Sequence, residues 1–319
     1  MADVVLGIGA SHTTLMNTRW GAVDHLQRAH RYRDALLNAA GILKSSDSDA
    51  VVIIGSNHFR GFWLDLMPAF TIGVGEVIAS GEHGTPAGTL LSHPTLGREL
   101  CARLMRHDFD VAFSDRLTID HGISHAVQWI VRDAGIPIVP FVVNCFAPPL
   151  PSLRRCLSLG EALAEALRST DTCRRVTVIA TGGLSHKLPF PDWRAPKSDD
   201  DKFLVDSWRI GRSRWKDFET RRRGIIVGAP PRLNEAFDQR FLELVATGHM
   251  RHFPDLYTDE QLNEEAGNGA AELRAWQIMT AALAQGPGRT LAYSPMPEWL
   301  TGMAVSIVEG RPAMQGNSR

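Results

Sequence analysis

Short apolar, β-branched runs alternate along the chain with longer stretches that have helical spacing. Runs of four to eight such residues between turn-forming residues are typical of buried strands. They predict strands at residues 3–10, 51–56, 70–79, 110–114, 137–143, 175–181 and 289–293. The intervening stretches predict helices at about 22–43, 94–107, 123–134, 152–168, 234–247, 258–265 and 269–285. This alternation favours an α/β fold with a central mixed, mostly parallel β-sheet flanked by helices on both faces.

Three segments depart from this alternation. The Gly- and Pro-containing segment 81–88 predicts a loop, and a proline-containing tail follows the last predicted strand. Residues 192–223 combine the acidic run Asp199–Asp201 with a helix rich in Trp and Arg. A charge run is usually a solvated helix face, and a lid or a subunit contact is the alternative. We therefore expect one domain over residues 1–319, with a helical, lid-like insertion at about 192–265.

Composition narrows the class of protein. The chain is 44% hydrophobic and 22% charged, which is ordinary for a globular protein. Its formal net charge of -1 argues against nucleic-acid and membrane partners. Asp3 near the start disfavours a signal peptide, and no apolar run is long enough to span a bilayer. The four cysteines lack C-x-x-C spacing, which favours free thiols in a reducing compartment. We expect a cytoplasmic protein.

Four histidines come soon after the ends of predicted strands. They are His12, His58, His121 and His186. Side chains at the carboxyl ends of strands in an open α/β sheet converge on the crevice where such folds bind ligands. One histidine there means little, but four at one edge can build a metal site with acid/base chemistry beside it.

His12 and His58 stand at equivalent positions, each preceded by a small polar residue. Two neutral imidazoles suit Fe, Zn, Cu or Ni, and one added carboxylate gives the facial triad of non-haem Fe(II). Glu272 is a candidate third ligand because it lies in the first turn of a predicted helix. Favourable placement near a helix N-terminus explains it equally well. Glu264 and Glu265 precede the turn before that helix and are expected on a solvated helix end.

His121 and His186 are the candidates for acid/base chemistry. Asp120 precedes the first and a glycine follows it, while two glycines bend the strand exit before the second. Imidazole titrates near neutral pH, which suits proton removal from a phenol and proton delivery to a peroxide. The other histidines are expected in surface or structural roles, except His125, which lies one helical turn beyond His121.

Taken together and in order, these motifs resemble the class III, LigB-type extradiol catechol dioxygenases, closest to the 2,3-dihydroxyphenylpropionate 1,2-dioxygenase branch. The resemblance runs nearly end to end. It is carried by Ser11-His12, segment 57–88, DHG at 120–122, GGLSH at 182–186, GNGAAELRAW at 267–276 and PEWLTG at 297–302. It implies the LigB-like fold, so that the expected single domain is catalytic.

The resemblance also implies a reaction and a site. O2 would open a substituted catechol beside its diol at a non-haem Fe(II) centre, giving a semialdehyde-type product. The implied iron ligands are His12, His58 and Glu272. His121 and His186 would be the acid/base pair, with Asp120 orienting or tuning His121. The partners implied are a catecholic substrate and O2, in a homo-oligomer without a separate small subunit.

Two departures from the branch's pattern lie beside the acid/base histidines. Ser124-His125-Ala126 stands where a proline is expected, and Leu188 follows Lys187 where the branch tends to have proline. His125 and Lys187 could therefore face a carboxylate or another polar substituent of the substrate, and surface exposure is the alternative. Two other functions stay open: an aminophenol or protocatechuate/gallate-type extradiol dioxygenase, and a non-catalytic metal-binding protein of the LigB fold.

Overall fold

The computed structural model describes residues 1–310. Its strands are β1 Asp3–Ala10, β2 Ala50–Ser56, β3 Phe70–Ser80, β4 Ala87–Leu90, β5 Ala112–Ile119, β6 Ile138–Val143, β7 Arg175–Thr181, β8 Gly288–Met296 and β9 Thr301–Glu309. Its α-helices are α1 Leu15–Thr18, α2 Leu26–Lys44, α3 Pro94–Arg106, α4 His121–Ala126, α5 Leu153–Arg168, α6 Asp199–Val227, α7 Glu235–Thr247, α8 Phe253–Leu256, α9 Asp259–Ala266 and α10 Leu273–Ala282. In this part of the chain, no helix combines the length and the apolar character needed to cross a bilayer.

All nine strands of the described residues join one sheet, in the order β4-β3-β6-β2-β7-β1-β9-β8, with β5 paired to β3. The parallel pairs are β1–β7, β2–β6, β2–β7 and β3–β5. The antiparallel pairs are β1–β9, β3–β4, β3–β6 and β8–β9. The α/β class and the mixed sheet are confirmed. The expectation of a mostly parallel sheet holds only for the central block β6-β2-β7-β1, because hairpins add antiparallel strands on both sides.

Helices cover both faces of the sheet, as expected. Successive residues of β2 alternate between two hydrophobic cores, because a strand points its side chains to opposite faces. Val52 and Ile54 lie in the core that includes residues of α3, α5, α7 and α10. Val51 and Ile53 lie in the core that includes residues of α2 and α4. Every residue of β2 is buried, which explains why its sequence is an unbroken apolar run.

Two strands escaped prediction. β4 overlaps the segment predicted as a loop, because it is short and largely exposed and so shows no apolar alternation. β9 lies where only a tail was expected. Pro295 lies within the edge strand β8, where proline is tolerated, and Pro297 begins the short turn that follows, so neither interrupts β9. Residues 311–319 of that tail lie outside the described residues.

The Trp/Arg-rich segment forms most of α6, a 29-residue helix. Its N-terminus has a capping box made by Ser198 and Asp201, and the acidic run there is exposed, as a solvated helix start would be. Further along, Trp208 is fully buried and stacks on Phe59 with ring centroids 4.4 Å apart. The segment is therefore only partly a solvated face, since one side of it packs on the loop that follows β2.

Candidate active site

Three of the four strand-end histidines come together as the parallel sheet predicts. His12 follows β1, His58 follows β2 and His186 follows β7. These strands are neighbours in the central block, so their carboxyl ends meet at one edge. All three side chains are buried at that edge.

His121 reaches the same place by another route. It follows β5, which pairs with β3, and β3 runs antiparallel to β6. The register of β3 and β5 shifts between Gly73 and Glu76, and the end of β5 packs against the loop after β2. Gly61 in that loop leaves no space for a Cβ beside the Thr118 carbonyl. As a result, the His121 ring stacks on the His58 ring at a centroid distance of 3.9 Å.

Glu272 supplies a buried carboxylate to this cluster. It ends a 3-10 turn that leads into α10. Its Oε1 lies 3.1 Å from His12 Nε2 and 3.4 Å from His58 Nε2. The Ser56 hydroxyl donates to Oε1, and the Gly183 N–H donates to Oε2 at 2.8 Å. The carboxylate is thus shared between both histidines and two donors at strand ends.

The donor atoms fit a metal ion. Two ligand atoms about 2.1 Å from one metal ion and at right angles to each other lie about 3 Å apart. The distances from Glu272 to His12 and His58 are close to this value. Both ring nitrogens of His12 are buried without a hydrogen-bond partner in residues 1–310, since Nε2 approaches Glu272 without hydrogen-bond geometry. His12, His58 and His121 form a competing set, with ligand atoms within 4.8 Å of one another.

Asp120 holds His58 rather than His121. Its Oδ2 accepts the His58 backbone N–H at 2.5 Å, and its Oδ1 lies 3.3 Å from His58 Nδ1. As the N-cap of α4, it also accepts the Gly122 N–H, which turns the carboxylate toward the end of β2. Of the two effects expected of Asp120 on His121, orientation is therefore not seen, whereas tuning is, because the Asp120 charge acts to raise the pKa of that imidazole.

The partner of His121 is Glu82, which the sequence did not single out. Its Oε1 accepts the His121 backbone N–H at 2.8 Å and lies 2.6 Å from His121 Nδ1. Its Oε2 pairs with Arg60 Nε at 3.1 Å. Glu82 belongs to the segment predicted as a loop, where one glutamate among glycines gives no periodic signal. Its only sequence signal is that it lies inside the 57–88 segment of the family resemblance.

The two stacked imidazoles have opposite proton affinities. Burial lowers the pKa of His58, but Asp120 and Glu272 outweigh it and raise that pKa to about 9. Burial and the neighbouring His58 charge lower the pKa of His121 to about 4, against the opposing effect of Glu82. Burial would raise the pKa of Glu272, yet His12 and His58 hold it well below its usual range. At neutral pH His121 is therefore an uncharged imidazole.

His186 is held by its own strand exit. Its Nδ1 donates to the Leu184 carbonyl at 2.9 Å, and its Nε2 lies 3.9 Å from Glu272 Oε2. Gly269 packs directly on the ring, where a Cβ would overlap it. The preceding residue, Ser185, donates its backbone N–H to Asp238 Oδ1 at 2.7 Å and its hydroxyl to Oδ2 at 3.0 Å. Asp238 thus supports the loop that carries His186.

His125 and Lys187 lie away from the pocket that His12 and His58 line. His125 is buried because it lies on the face of α4 that packs into the core. Its ring centroid is 6.3 Å from that of Trp129. Lys187 is exposed and lines a separate cavity, since the residue after His186 points the other way. Neither residue therefore lines the pocket, and of the two alternatives considered for them, surface exposure holds for Lys187. Glu264 and Glu265 also lie outside its lining, as expected.

The rest of the pocket wall combines apolar side chains with three threonines, His83 and two arginines. Leu15, Leu188, Phe190, Ile226, Trp299 and Leu300 supply the apolar lining. Arg222 and Arg223 come from the second half of α6. Burial and the nearby Arg60 charge lower the pKa of Arg222 to about 9. The predicted insertion therefore contributes one wall of the site.

Comparisons with known proteins place most of the chain in one family. A family model described as the catalytic LigB subunit of aromatic ring-opening dioxygenase matches residues 7–304. A 2,3-dihydroxyphenylpropionate/2,3-dihydroxicinnamic acid 1,2-dioxygenase of Photorhabdus laumondii is 31% identical over 324 residues, covering 97% of this chain and 98% of the relative. The protein of the same name from Paraburkholderia xenovorans is 33% identical over 280 residues, covering 83% and 86%.

A solved structure shows the same fold. The crystal structure of an uncharacterized protein from Escherichia coli K12 matches with a TM-score of 0.52 at 13% sequence identity. The match covers 95% of this chain and 99% of that chain. At this identity the likeness concerns the fold alone.

Asp238 gives a prediction for stability against pH. Burial is the largest cause that raises the pKa of Asp238, from 3.8 to about 6. A folded-state pKa above the unfolded value means that stability is fully present below about pH 4 and is lost as the pH rises through 6. We expect urea denaturation to show wild type losing about 2.4 kcal/mol relative to Asp238→Asn between pH 4 and 7. Parallel pH profiles for the two proteins would contradict this.

Proposed function

Because this chain belongs to the LigB family and is a ring-cleaving dioxygenase of catechols, we propose that His12, His58 and Glu272 bind Fe(II) as its catalytic metal. The reaction is extradiol cleavage, in which both atoms of O2 enter the product and the ring opens beside the diol. Fe(II), when bound, supplies a Lewis-acid and redox centre for the catechol and O2. Two histidines and one carboxylate are the ligand set that leaves positions open for two reactants.

One observation carries the choice of ligands. The Glu272 carboxylate oxygen lies between two buried imidazole nitrogens, at 3.1 and 3.4 Å, and neither ring nitrogen of His12 has a hydrogen-bond partner in the described residues. His121 is the competing ligand, because its Nδ1 lies 2.6 Å from Glu82, which leaves Nε2 free, and its ring stacks on His58. A carboxylate also brings the negative charge that Fe(II) prefers over a third neutral ligand.

His121 is proposed as the general base. Its Nδ1–H donates to Glu82, so the neutral ring keeps Nε2 as a proton acceptor. Burial lowers its pKa to about 4, which keeps that nitrogen unprotonated at neutral pH. His121 lines the pocket, where it can accept a proton from a catechol hydroxyl.

His186 is proposed as the general acid. Burial lowers its pKa, so it is uncharged before substrate binds. The Glu272 carboxylate 3.9 Å from its Nε2 opposes this effect and favours the protonated ring. A proton gained during turnover can therefore be held on His186 and delivered when the O–O bond breaks. Asp120 is proposed to keep His58 oriented by accepting from its Nδ1.

We also propose that the chain acts as one catalytic domain, in which residues 192–265 form a lid-like wall. Trp208 of α6 and Phe241 of α7 share a core with the central strands, and Arg222 lines the pocket. A homo-oligomer without a separate small subunit is proposed from the family resemblance. Light scattering of the purified protein tests it.

Iron binding tests the ligand set. Wild type, Glu272→Ala, Glu264→Ala and Glu265→Ala are incubated anaerobically with Fe(II), desalted and analysed for metal. We expect Glu272→Ala to lose iron because the shared carboxylate is gone, while the two control variants on α9 keep it. If Glu272→Ala retained iron and one control lost it, that control's glutamate would be the third ligand in place of Glu272.

Turnover on a panel of catechols and aminophenols tests the reaction and the proton carriers. Wild type with Fe(II) and O2 should form a yellow ring-opened product from at least one catechol. His121→Ala and His186→Ala should keep iron and lose about 10²–10⁴-fold in kcat. Glu82→Gln should lose about 10–100-fold, because the ring of His121 is less firmly held.

No yellow product from any compound would refute the dioxygenase function. Loss of iron from either histidine variant would show that the residue is a ligand, and its acid/base role would then be wrong.

A further inference from the structure

Arg222 is a buried guanidinium in the wall of the candidate active site. The residue is 4% exposed and lines the same pocket as the proposed metal ligands. One nitrogen, Nη2, donates to the backbone carbonyl of His58 at 2.9 Å. Its Nε is buried and has no hydrogen-bond partner within residues 1–310. The group therefore carries a full positive charge and unused donors at the pocket.

The carboxylates around Arg222 are already paired with other groups. Glu82 pairs with His121 and Arg60. Glu219 pairs with Arg60 at 2.9 Å and with His83 at 2.9 Å. In the described part of the chain, no ion pair within 4.0 Å involves Arg222. Burying a charge without a directly paired counter-ion costs several kcal/mol of folding free energy. We therefore expect an anionic ligand to pair with Arg222.

Aromatic rings offset only part of that cost. The guanidinium carbon lies 4.8 Å from the centroid of the Trp215 ring and 5.8 Å from that of Phe190. A cation–π contact stabilises by about 0.5–2 kcal/mol and uses no N–H donor. The unpaired donors therefore still need an acceptor. The adjacent Arg223 differs, because the hydroxyls of Thr14 and Thr18 accept from it at 2.8 and 2.6 Å.

We propose that Arg222 is a specificity-determining residue that binds a carboxylate on the substituent of the catechol. The inference rests on the proposed function for the position of the ring. The contact with the His58 carbonyl places the guanidinium beside a proposed metal ligand, so the ring and its charged substituent can be bound together. A guanidinium fork matches a carboxylate in geometry as well as charge. The two relatives described above are named for propionate and cinnamic acid substrates, which have this chemistry.

The first test measures preference for charge. Wild type, Arg222→Met and Arg222→Gln are compared on a catechol that bears a propionate side chain and on its neutral propanamide counterpart. The readout is the ratio of kcat/KM for the two substrates. A charged hydrogen bond contributes about 1.5–3 kcal/mol, so both variants should lower this ratio about tenfold or more. Arg221→Gln is the matched control, since that neighbouring arginine is exposed and pairs with Asp200; its ratio should equal that of wild type.

The second test does not need turnover. Binding of 3-phenylpropionate and 3-phenylpropanamide, which lack the diol, is measured by calorimetry. Wild type should prefer the carboxylate, and Arg222→Met should lose that preference. If wild type cleaves no catechol but shows this preference, the proposed function fails and the role of Arg222 stands.

A structural role for Arg222 predicts a different result. If Arg222 serves only to hold the His58 carbonyl, Arg222→Met should lower the melting temperature of the ligand-free protein. The preference for the carboxylate compound should then stay unchanged in both turnover and binding. If Arg222 instead binds the substrate anion and is unpaired without it, removal of this cation should leave the melting temperature unchanged or raise it. Unchanged preference for the carboxylate in both variants would overturn the proposal.

Discussion

The buried carboxylate of Glu272 is the constraint on which the site depends. An ionised carboxylate removed from water costs several kcal/mol unless nearby groups compensate its charge. Here His12, His58, the Ser56 hydroxyl and the Gly183 N–H surround it. These groups come from the ends of β1, β2 and β7, so one side chain on the turn before α10 fixes the relative positions of three neighbouring strand ends.

Further carboxylates set the orientation of the imidazoles. Asp120 occupies Nδ1 of His58 and Glu82 occupies Nδ1 of His121, which leaves the opposite nitrogen of each ring for chemistry. The stacked rings also differ in pKa, because Asp120 and Glu272 raise the pKa of His58, whereas burial and the His58 charge lower that of His121 despite Glu82. A pair of touching histidines can thus have separate roles, one as a ligand and one as a base.

The sequence could predict the features that depend on local pattern. Unbroken apolar runs located β1, β2 and β7, and parallel pairing then brought their trailing histidines to one edge. It could not predict Glu82 or Arg222, because their roles arise from the path of β3 and β5 and from the packing of α6 over the sheet. Lys187, by contrast, is a residue that the sequence suggested for the pocket and that does not line it. Adjacency to His186 in the chain suggested a shared pocket, but successive residues at a strand exit point in different directions.

Anomalous scattering from crystals loaded anaerobically with Fe(II) shows which residues bind the metal. Maps calculated from data on either side of the iron absorption edge would locate the metal without reference to activity. The proposed ligand set predicts one peak about 2.0–2.2 Å from His12 Nε2, His58 Nε2 and a Glu272 oxygen, with His121 outside the coordination sphere. A peak coordinated by His12, His58 and His121, the competing set of ligand atoms, would contradict it.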